Sequence, residues 1–340
     1  MVRVDAVVPA FGDDPWLERC IDALLGSRGV DIAVVVVDNG ADPAAIGRVA
    51  DRPGVVVVRP GGNLGYAGGC DAGAAAGDGD VLVFVNQDAI VEPEALSLLA
   101  DVAERPGVGI ATGSVRLAGD PARLNSGGND VHFLGFSWAG RYGEIARAGE
   151  AERDVIAASG TALAITRELW KSLGGFDPRY FAYHEDTELS LRCWQRGLRV
   201  VYVPDAIVLH RYEFSRNRQK QYLLERNRLV VVLTLFERRT LIVLAPMLLA
   251  AEVAIVVLAA REGWVGQKLA GWGWLVRNAR WLRARRRRLQ RERTVPDGVL
   301  GERFAIELRP GNLALPRGAR WFDRLAARYW ARVLPRLRRP

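Results

Sequence analysis

The chain has 340 residues, 49% of them apolar and 25% charged, enough for one large α/β core with roughly a hundred residues to spare. Its three cysteines, Cys20, Cys70 and Cys193, are widely spaced and form no CxxC, which excludes a disulfide framework or zinc ribbon and points to a reducing compartment; with a strand expected almost at Met1, no cleaved signal is expected either. The net charge of +8 hides a division, because residues 1–210 carry 18 Lys/Arg against 29 Asp/Glu while residues 211–340 carry 29 against 10, so an acidic body is expected to attach to an anionic surface through a basic tail alone.

In chain order, the apolar run Val2 to Pro9 predicts a buried strand with Phe11 at its exit. A helix from Pro15 follows, then a strand over 32–37 that ends in Asp38-Asn39-Gly40, a helix from Pro43, a strand over 55–58, and a helix from about Tyr66. The next strand, Val81 to Val85, runs into Asn86-Gln87-Asp88, and another helix starts near Pro93. Buried strands alternating with helices predict a doubly wound, mixed sheet with helices on both faces. In such sheets ligands bind outside the carboxyl ends of the strands, so the three polar tips should share one crevice. After about residue 106 the pattern turns irregular and glycine-rich, with Ser126-Gly127-Gly128-Asn129 and Trp138-Ala139-Gly140, and is read as mixed sheet and loops.

The segment His184-Glu185-Asp186-Thr187-Glu188 crowds three carboxylates around one imidazole at the start of an amphipathic helix. Like charges a few ångströms apart cannot all ionise freely, so at least one should have a raised pKa, as a general base near neutral pH needs. The same residues would also serve as an ordinary acidic first turn, with Glu188 and Arg192 paired at i,i+4.

Together with Val8-Pro9-Ala10-Phe11, Val37-Asp38-Asn39-Gly40, Asn63-Leu64-Gly65-Tyr66-Ala67-Gly68-Gly69, Asn86-Gln87-Asp88, Gly174-Gly175-Phe176-Asp177 and Tyr222 with Arg226-Asn227-Arg228, this segment resembles the family 2 glycosyltransferases, inverting enzymes of the GT-A fold, and their bacterial rhamnosyltransferase-like members. The resemblance covers roughly residues 2–228 and implies a catalytic domain over 1–228. It implies a nucleoside diphosphate sugar donor, dTDP-rhamnose or a UDP-sugar, and a lipid-linked or cell-wall glycan acceptor. Asp186 is implied as the base with Glu185 beside it. Pro9, Phe11, Asp38, Asn63, Gly65 and Asn86 are implied around the nucleotide, and Asp88 with His210 on a divalent metal, Mg²⁺ or Mn²⁺. Gly160, Thr161, Gly175 and Asp177 are expected to shape the sugar and acceptor pockets. Asn86 stands where the familiar Asp-x-Asp motif has its first carboxylate, and Asp71 where relatives commonly carry Asn.

Residues 229–340 are expected to form a helical, membrane-associating region. Thr240 to Ala260 is long enough to cross roughly 30 Å of hydrocarbon, but Pro246 and Glu252 interrupt it. Tryptophans 264, 272, 274 and 281, interleaved with nine arginines between Arg277 and Arg293, read as an interfacial helix on anionic lipid. A single crossing would put those arginines outside, against the positive-inside rule; a re-entrant or surface-lying hairpin at the cytoplasmic face of the cell membrane is therefore expected. Three alternatives stay open: a nucleotidyltransferase, although no Gly-rich phosphate loop follows the first strand; a weakened, non-catalytic relative; and a nucleic-acid binder using the basic tail, against which the adjacent apolar stretch argues for lipid and no nucleic acid.

Overall fold

The apolar runs with polar tips form the middle of one mixed sheet. In the computed structural model, which describes residues 1–211, 218–311 and 319–338, β1 (Val2–Gly12), β2 (Val30–Ala41), β3 (Val55–Val58) and β4 (Val81–Val85) lie parallel in the order β3-β2-β1-β4. They are joined by α1 (Leu17–Leu25), α2 (Pro43–Ala50) and α3 (Gly65–Ala76). Val4, Ala6, Val8 and Ala10 of β1 pack with Leu17, Ile21, Ile46 and Val49 on one face. Val7 packs on the other face with Ala67 and Cys70 of α3. Strands buried on both faces carry continuous apolar runs for this reason.

The chain continues through β5 (Ala89–Val91), α4 (Ala95–Ala103), β6 (Val108–Leu117), β7 (Asp120–Ser126), β8 (Asn129–Val131), β9 (Ser137–Ala139), β10 (Arg153–Asp154), β11 (Ala162–Thr166), α5 (Arg167–Leu173), α6 (Glu185–Gln195) and β12 (Arg199–His210). β11 lies antiparallel between β4 and β6, and β12 lies parallel to β6. The part expected to be irregular therefore supplies two long interior strands. Glycine hides β6 in the sequence, and it is there for packing: a Cβ on Gly109 would meet the Cys193 sulfur of α6 at 2.8 Å.

Helices α7 (Arg218–Leu235), α8 (Arg238–Arg261), α9 (Val265–Arg277), α10 (Ala279–Glu292), α11 (Asp297–Leu300) and α12 (Ala319–Leu337) complete the described chain. The boundary expected after residue 228 falls inside α7. α8 runs unbroken through Pro246, and Glu252 points inward, where Lys268 Nζ (2.9 Å), Trp272 Nε1 (2.7 Å) and the Arg228 guanidinium meet it. Glu225 shares Arg228 (3.0 Å) and Lys268 (2.6 Å), giving two anions and two cations in one buried cluster. The outer face of α8 keeps Ile242, Leu249, Val253 and Val257 exposed, and only 17% of its apolar window is buried. Glu252 thus does not interrupt the apolar face.

The Arg/Trp segment departs from the interfacial helix expected of it. Arg286 donates to the carbonyls of Leu233 and Phe236, Gln290 to those of Thr234 and Leu235, and Arg293 to that of Leu235. These carbonyls end α7 without partners of their own, and cations there also suit the helix dipole. Arg285 is 6% exposed and reaches α6, whereas Arg277, Arg280, Arg283, Arg287, Arg288 and Arg291 remain exposed. The segment is half scaffold and half surface.

Candidate active site

The strand tips open onto two adjoining cavities. The first, about 270 Å³, is lined by Pro9 and Phe11 from β1, Asn39 from β2, and Asn63 and Gly65 at the start of α3. Gln87 fixes the Phe11 backbone through two hydrogen bonds (2.7 and 2.8 Å), leaving the ring 57% exposed at the rim. Asn39, buried, accepts from Leu64 N (2.7 Å) and donates to Gly65 O (2.9 Å). Asp38 does not line this cavity: its Oδ1 accepts from the backbone N–H groups of Gly40 (3.3 Å) and Ala41 (3.2 Å), closing an Asx turn. Gly65 has φ +71°, and a Cβ there would lie 2.2 Å from the Phe181 carbonyl oxygen. Its smallness thus admits the loop before α6 as well as a ligand.

The second cavity, about 440 Å³, contains Asn86, Gly160, Thr161, Glu185, Asp186 and His210. Asp186 Oδ2 accepts from Asn129 Nδ2 (3.1 Å) and Gly160 N (2.9 Å), and Oδ1 from Thr187 N (2.6 Å). The carboxylate is therefore aimed by three donors from three elements. Burial raises its pKa, and these hydrogen bonds only partly offset that. Glu185 is pushed well above the carboxylate range by burial and by Asp186, and its Oε2 has no partner. Glu188, one turn on, faces the other way: burial pushes its pKa up, but the Arg192 and Arg285 guanidiniums outweigh it and hold it down. Of the three crowded carboxylates, one is a structural anion and two are available to chemistry. His184 is kept neutral, its pKa pushed down to about 4 by burial and by Arg228.

The loop that presents this turn is strained. Phe181, Tyr183 and His184 have φ of 64°, 69° and 68°, which costs of order 1 kcal/mol or more each in non-glycine residues. Asn227 of α7 holds it by donating to the carbonyls of Tyr180 (3.0 Å), Ala182 (2.9 Å) and Tyr183 (2.7 Å), and Arg226 donates to those of Arg179 and Tyr180. Asn227 and Arg226 thus act as a clamp, a role the sequence left unassigned.

At the opposite wall His210 ends β12. Its Nδ1 lies 2.8 Å from Asn125 Oδ1 and its Nε2 3.2 Å from Asp88 Oδ1, with Asn86 Nδ2 at 3.5 Å; with a proton on Nδ1, donated to Asn125, the Nε2 lone pair faces that carboxylate. A lone pair and a carboxylate facing each other fit a shared cation, and a hydrogen bond on the far ring nitrogen is how ligating histidines are oriented. Among the described residues no third His, Cys, Asp or Glu joins them; a hard divalent ion bound here would complete its shell with phosphate oxygens and water.

Gly175 and Asp177 do not line either cavity. A Cβ on Gly175 would lie 2.2 Å from Asp71 Oδ1, its carbonyl accepts from Arg192 (2.6 Å), and Asp177 accepts from Arg285 (2.7 Å). Both belong to the packing behind α6. Asn125, Asn129, Tyr66 (whose hydroxyl bonds the Gly160 carbonyl) and Lys220 were missed. Tyr66 stood in the Asn63–Gly69 motif without a role, and Ser126-Gly127-Gly128-Asn129 hinted at Asn125 and Asn129 only as a polar stretch without period.

The mixed sheet with helices on both faces is that of the GT-A fold, and residues 3–231 match the family model described as glycosyltransferase like family 2. The chain belongs to that family and is a glycosyltransferase. It is 31% identical over 238 residues to the N-acetylglucosaminyl-diphospho-decaprenol L-rhamnosyltransferase of Mycobacterium tuberculosis, covering 62% of this chain and 77% of that one. It is 30% identical over 237 residues to the O-antigen biosynthesis protein RfbC of Myxococcus xanthus, covering 63% of this chain but 18% of that longer protein. In fold it is similar to GalNAc-T7 with UDP, GalNAc and Mn²⁺ (TM-score 0.57, 18% identity, 69% of this chain and 49% of that one). It is also similar to a mannosyltransferase from Pyrobaculum calidifontis with GDP-Man and Mn²⁺ (TM-score 0.52, 17% identity, 98% and 87%).

Proposed function

We propose that this glycosyltransferase is inverting and metal-assisted, taking a sugar from a nucleoside diphosphate donor, dTDP-rhamnose or a UDP-sugar, to a hydroxyl of a lipid-linked or cell-wall glycan at the cytoplasmic face of the membrane. The observation that carries the reading is Asp186: a carboxylate of raised pKa, aimed by Asn129 and Gly160, in a cavity that adjoins the cavity of Phe11 and Asn39. A nucleoside in the first cavity, beside Phe11 and Asn39, directs its diphosphate and sugar toward Asp186 in the second. Asp186 takes the proton of the acceptor hydroxyl as its oxygen attacks the anomeric carbon, on the face opposite the departing diphosphate, and the anomeric centre inverts. Asp88 and His210 would hold the divalent ion, which when bound supplies Lewis-acid stabilisation of the leaving phosphate. The rhamnosyltransferase relative, named for a diphospho-decaprenol substrate, supports a lipid-linked acceptor. The exposed face of α8 and the six exposed arginines support a membrane-surface site.

The experiment is a melting-temperature screen against dTDP-, UDP- and GDP-sugars with and without Mn²⁺ or Mg²⁺, since a ligand of the native state raises its stability. One donor class is expected to raise the melting temperature, and more so with metal; Asp88→Ala should remove the metal-dependent part. No shift with any donor would overturn the reading, and full turnover in EDTA would overturn its metal.

A further inference from the structure

The two cavities share one wall, made by Tyr66, Ala182, Tyr183 and Lys220. This wall is where the nucleoside side of a donor passes into the sugar side, so a donor's diphosphate must lie along it. Among the described residues, Lys220 is the only lysine or arginine that lines either cavity. Its position is also constrained. It projects from α7, seven residues before the Asn227 clamp, and its Nζ lies 5.4 Å from the ring centroid of Tyr183, on the loop that Asn227 grips. Burial lowers its pKa from the ordinary lysine value; an ammonium in such surroundings gains more from an anion than one in water does.

Resting on the reading of this site as a sugar transferase, we infer that Lys220 is a catalytic residue that binds the donor diphosphate and meets the charge developing on it as the sugar leaves. The step leaves a charge that such a group would meet. The bond between the anomeric carbon and the β-phosphate oxygen breaks with its electron pair staying on that oxygen; the acceptor oxygen bonds the anomeric carbon; the acceptor proton goes to Asp186. The diphosphate gains one negative charge beside the wall that Lys220 occupies. His210 stands at the strand-tip wall of the larger cavity with Asp88 3.2 Å from its Nε2, and Lys220 stands on α7, so a divalent ion held by that pair and the Lys220 ammonium would approach the diphosphate from two separate elements. Neither Asp186 nor Glu185 can supply this, since both are acids. Lysine at this point also differs from arginine in kind, because a compact ammonium neutralises a point charge without demanding a planar, bidentate partner.

The test separates diphosphate from nucleoside. With Mn²⁺ present throughout, UDP, dTDP and GDP and their monophosphates are titrated calorimetrically into the full chain, into Lys220→Met and into Lys220→Arg, each checked for an unchanged melting temperature; Lys220→Gln replaces the Met variant if that one does not fold. For the base that fits, the wild-type chain is expected to prefer the diphosphate. Lys220→Met should shrink that preference by about ten- to a hundred-fold, the worth of a charge-assisted bond, leave monophosphate affinity unchanged and lower turnover, while Lys220→Arg keeps most of the preference. A folded Met or Gln variant that retains the full preference for diphosphate overturns the assignment of Lys220. If the wild-type chain binds none of the three diphosphates, it is the nucleotide reading of the site that falls, and this inference with it.

Discussion

The parallel half of the sheet and the C-terminal helices use charge in opposite ways. In the sheet, the strands are apolar over most of their length and the polar groups that line the cavities sit near their tips: Asn39 close to the end of β2 and Asn86 just past β4. In the helices, charge is interior. Arg228, Lys268 and Arg285 are almost wholly buried, each paired with carboxylates, and Arg293 is held by Asp297 and Glu237. A run of arginines is thus no guide to a surface field until its partners are known, and part of the tail's excess positive charge is spent inside the fold. Buried ion pairs of this kind contribute little net stability over apolar replacements, but losing one partner is costly.

The comparison sharpens first at the catalytic turn, where the largest effect is expected. Asp186→Asn should lower turnover by about two to four orders of magnitude, with donor affinity and melting temperature nearly unchanged, and steady-state kinetics beside donor titration will separate the two. Because burial raises the pKa of Asp186, activity in the wild-type enzyme should rise with pH through a value above the ordinary carboxylate range. Should Glu185→Gln prove the more damaging change, the base is one residue earlier.

Next comes the buried charge of the tail. Arg285→Gln leaves Glu188, which is fully buried, with Arg192 alone. Denaturant unfolding should show a loss of about 3–5 kcal/mol. A loss within 0.5 kcal/mol, the range of ordinary surface substitutions, would return the Arg/Trp segment to the role of a detachable surface helix.

A smaller effect is expected at the exposed arginines. Arg280→Gln and Arg287→Gln should each weaken retention on anionic vesicles by about 1 kcal/mol, roughly fivefold, leaving binding to neutral vesicles and the melting temperature unchanged. Equal retention on both vesicle types by every variant would mean that these arginines do not face lipid.

The smallest effect concerns Asp71, whose pKa burial pushes up to about 7 against the opposing Phe176 N–H and Arg192. The folded state keeps this acid neutral after the unfolded chain has ionised it. Its contribution to stability is therefore complete below about pH 4, falls as pH rises, and is gone above about 7. Asp71→Asn should flatten the fall in stability between those values, and the variant's advantage over the wild type should be greater at pH 8 than at pH 5. Parallel pH–stability curves for the two proteins would show that Asp71 is ionised in the folded state.

What could be read from sequence follows the same division. Strand tips were legible because a buried parallel strand is a continuous apolar run and its polar terminus is conspicuous; Phe11, Asn86 and Asp186, which line the cavities, were singled out that way or through motif order. Asn129 and Asn125 were not legible, because they lie in a stretch without period and owe their roles to β8 and β7 being brought beside α6 and β12. Gly175 and Asp177 were misplaced for a related reason. A glycine that makes room for a ligand and one that makes room for Asp71 look alike until the neighbour is known. Arg285 is one of nine arginines in its segment, and only packing distinguishes it.

Helix α7 ties the cavity wall to the C-terminal helices. At 18 residues it is about 27 Å long, and along that length it carries Lys220 at the cavity wall, the Asn227 clamp on the strained loop, Arg228 in the cluster beneath α8, and the C-terminal carbonyls capped from α10. A helix held at so many points behaves as a rod, so the exposed apolar face of α8 and the Glu185-Asp186 turn stand in a fixed mutual register. Chimeras that exchange acceptor-side helices between related transferases should keep that register only if the crossover precedes α7; a junction after Arg228, though it follows the last recognisable motif, would divide one mechanical part between two parents.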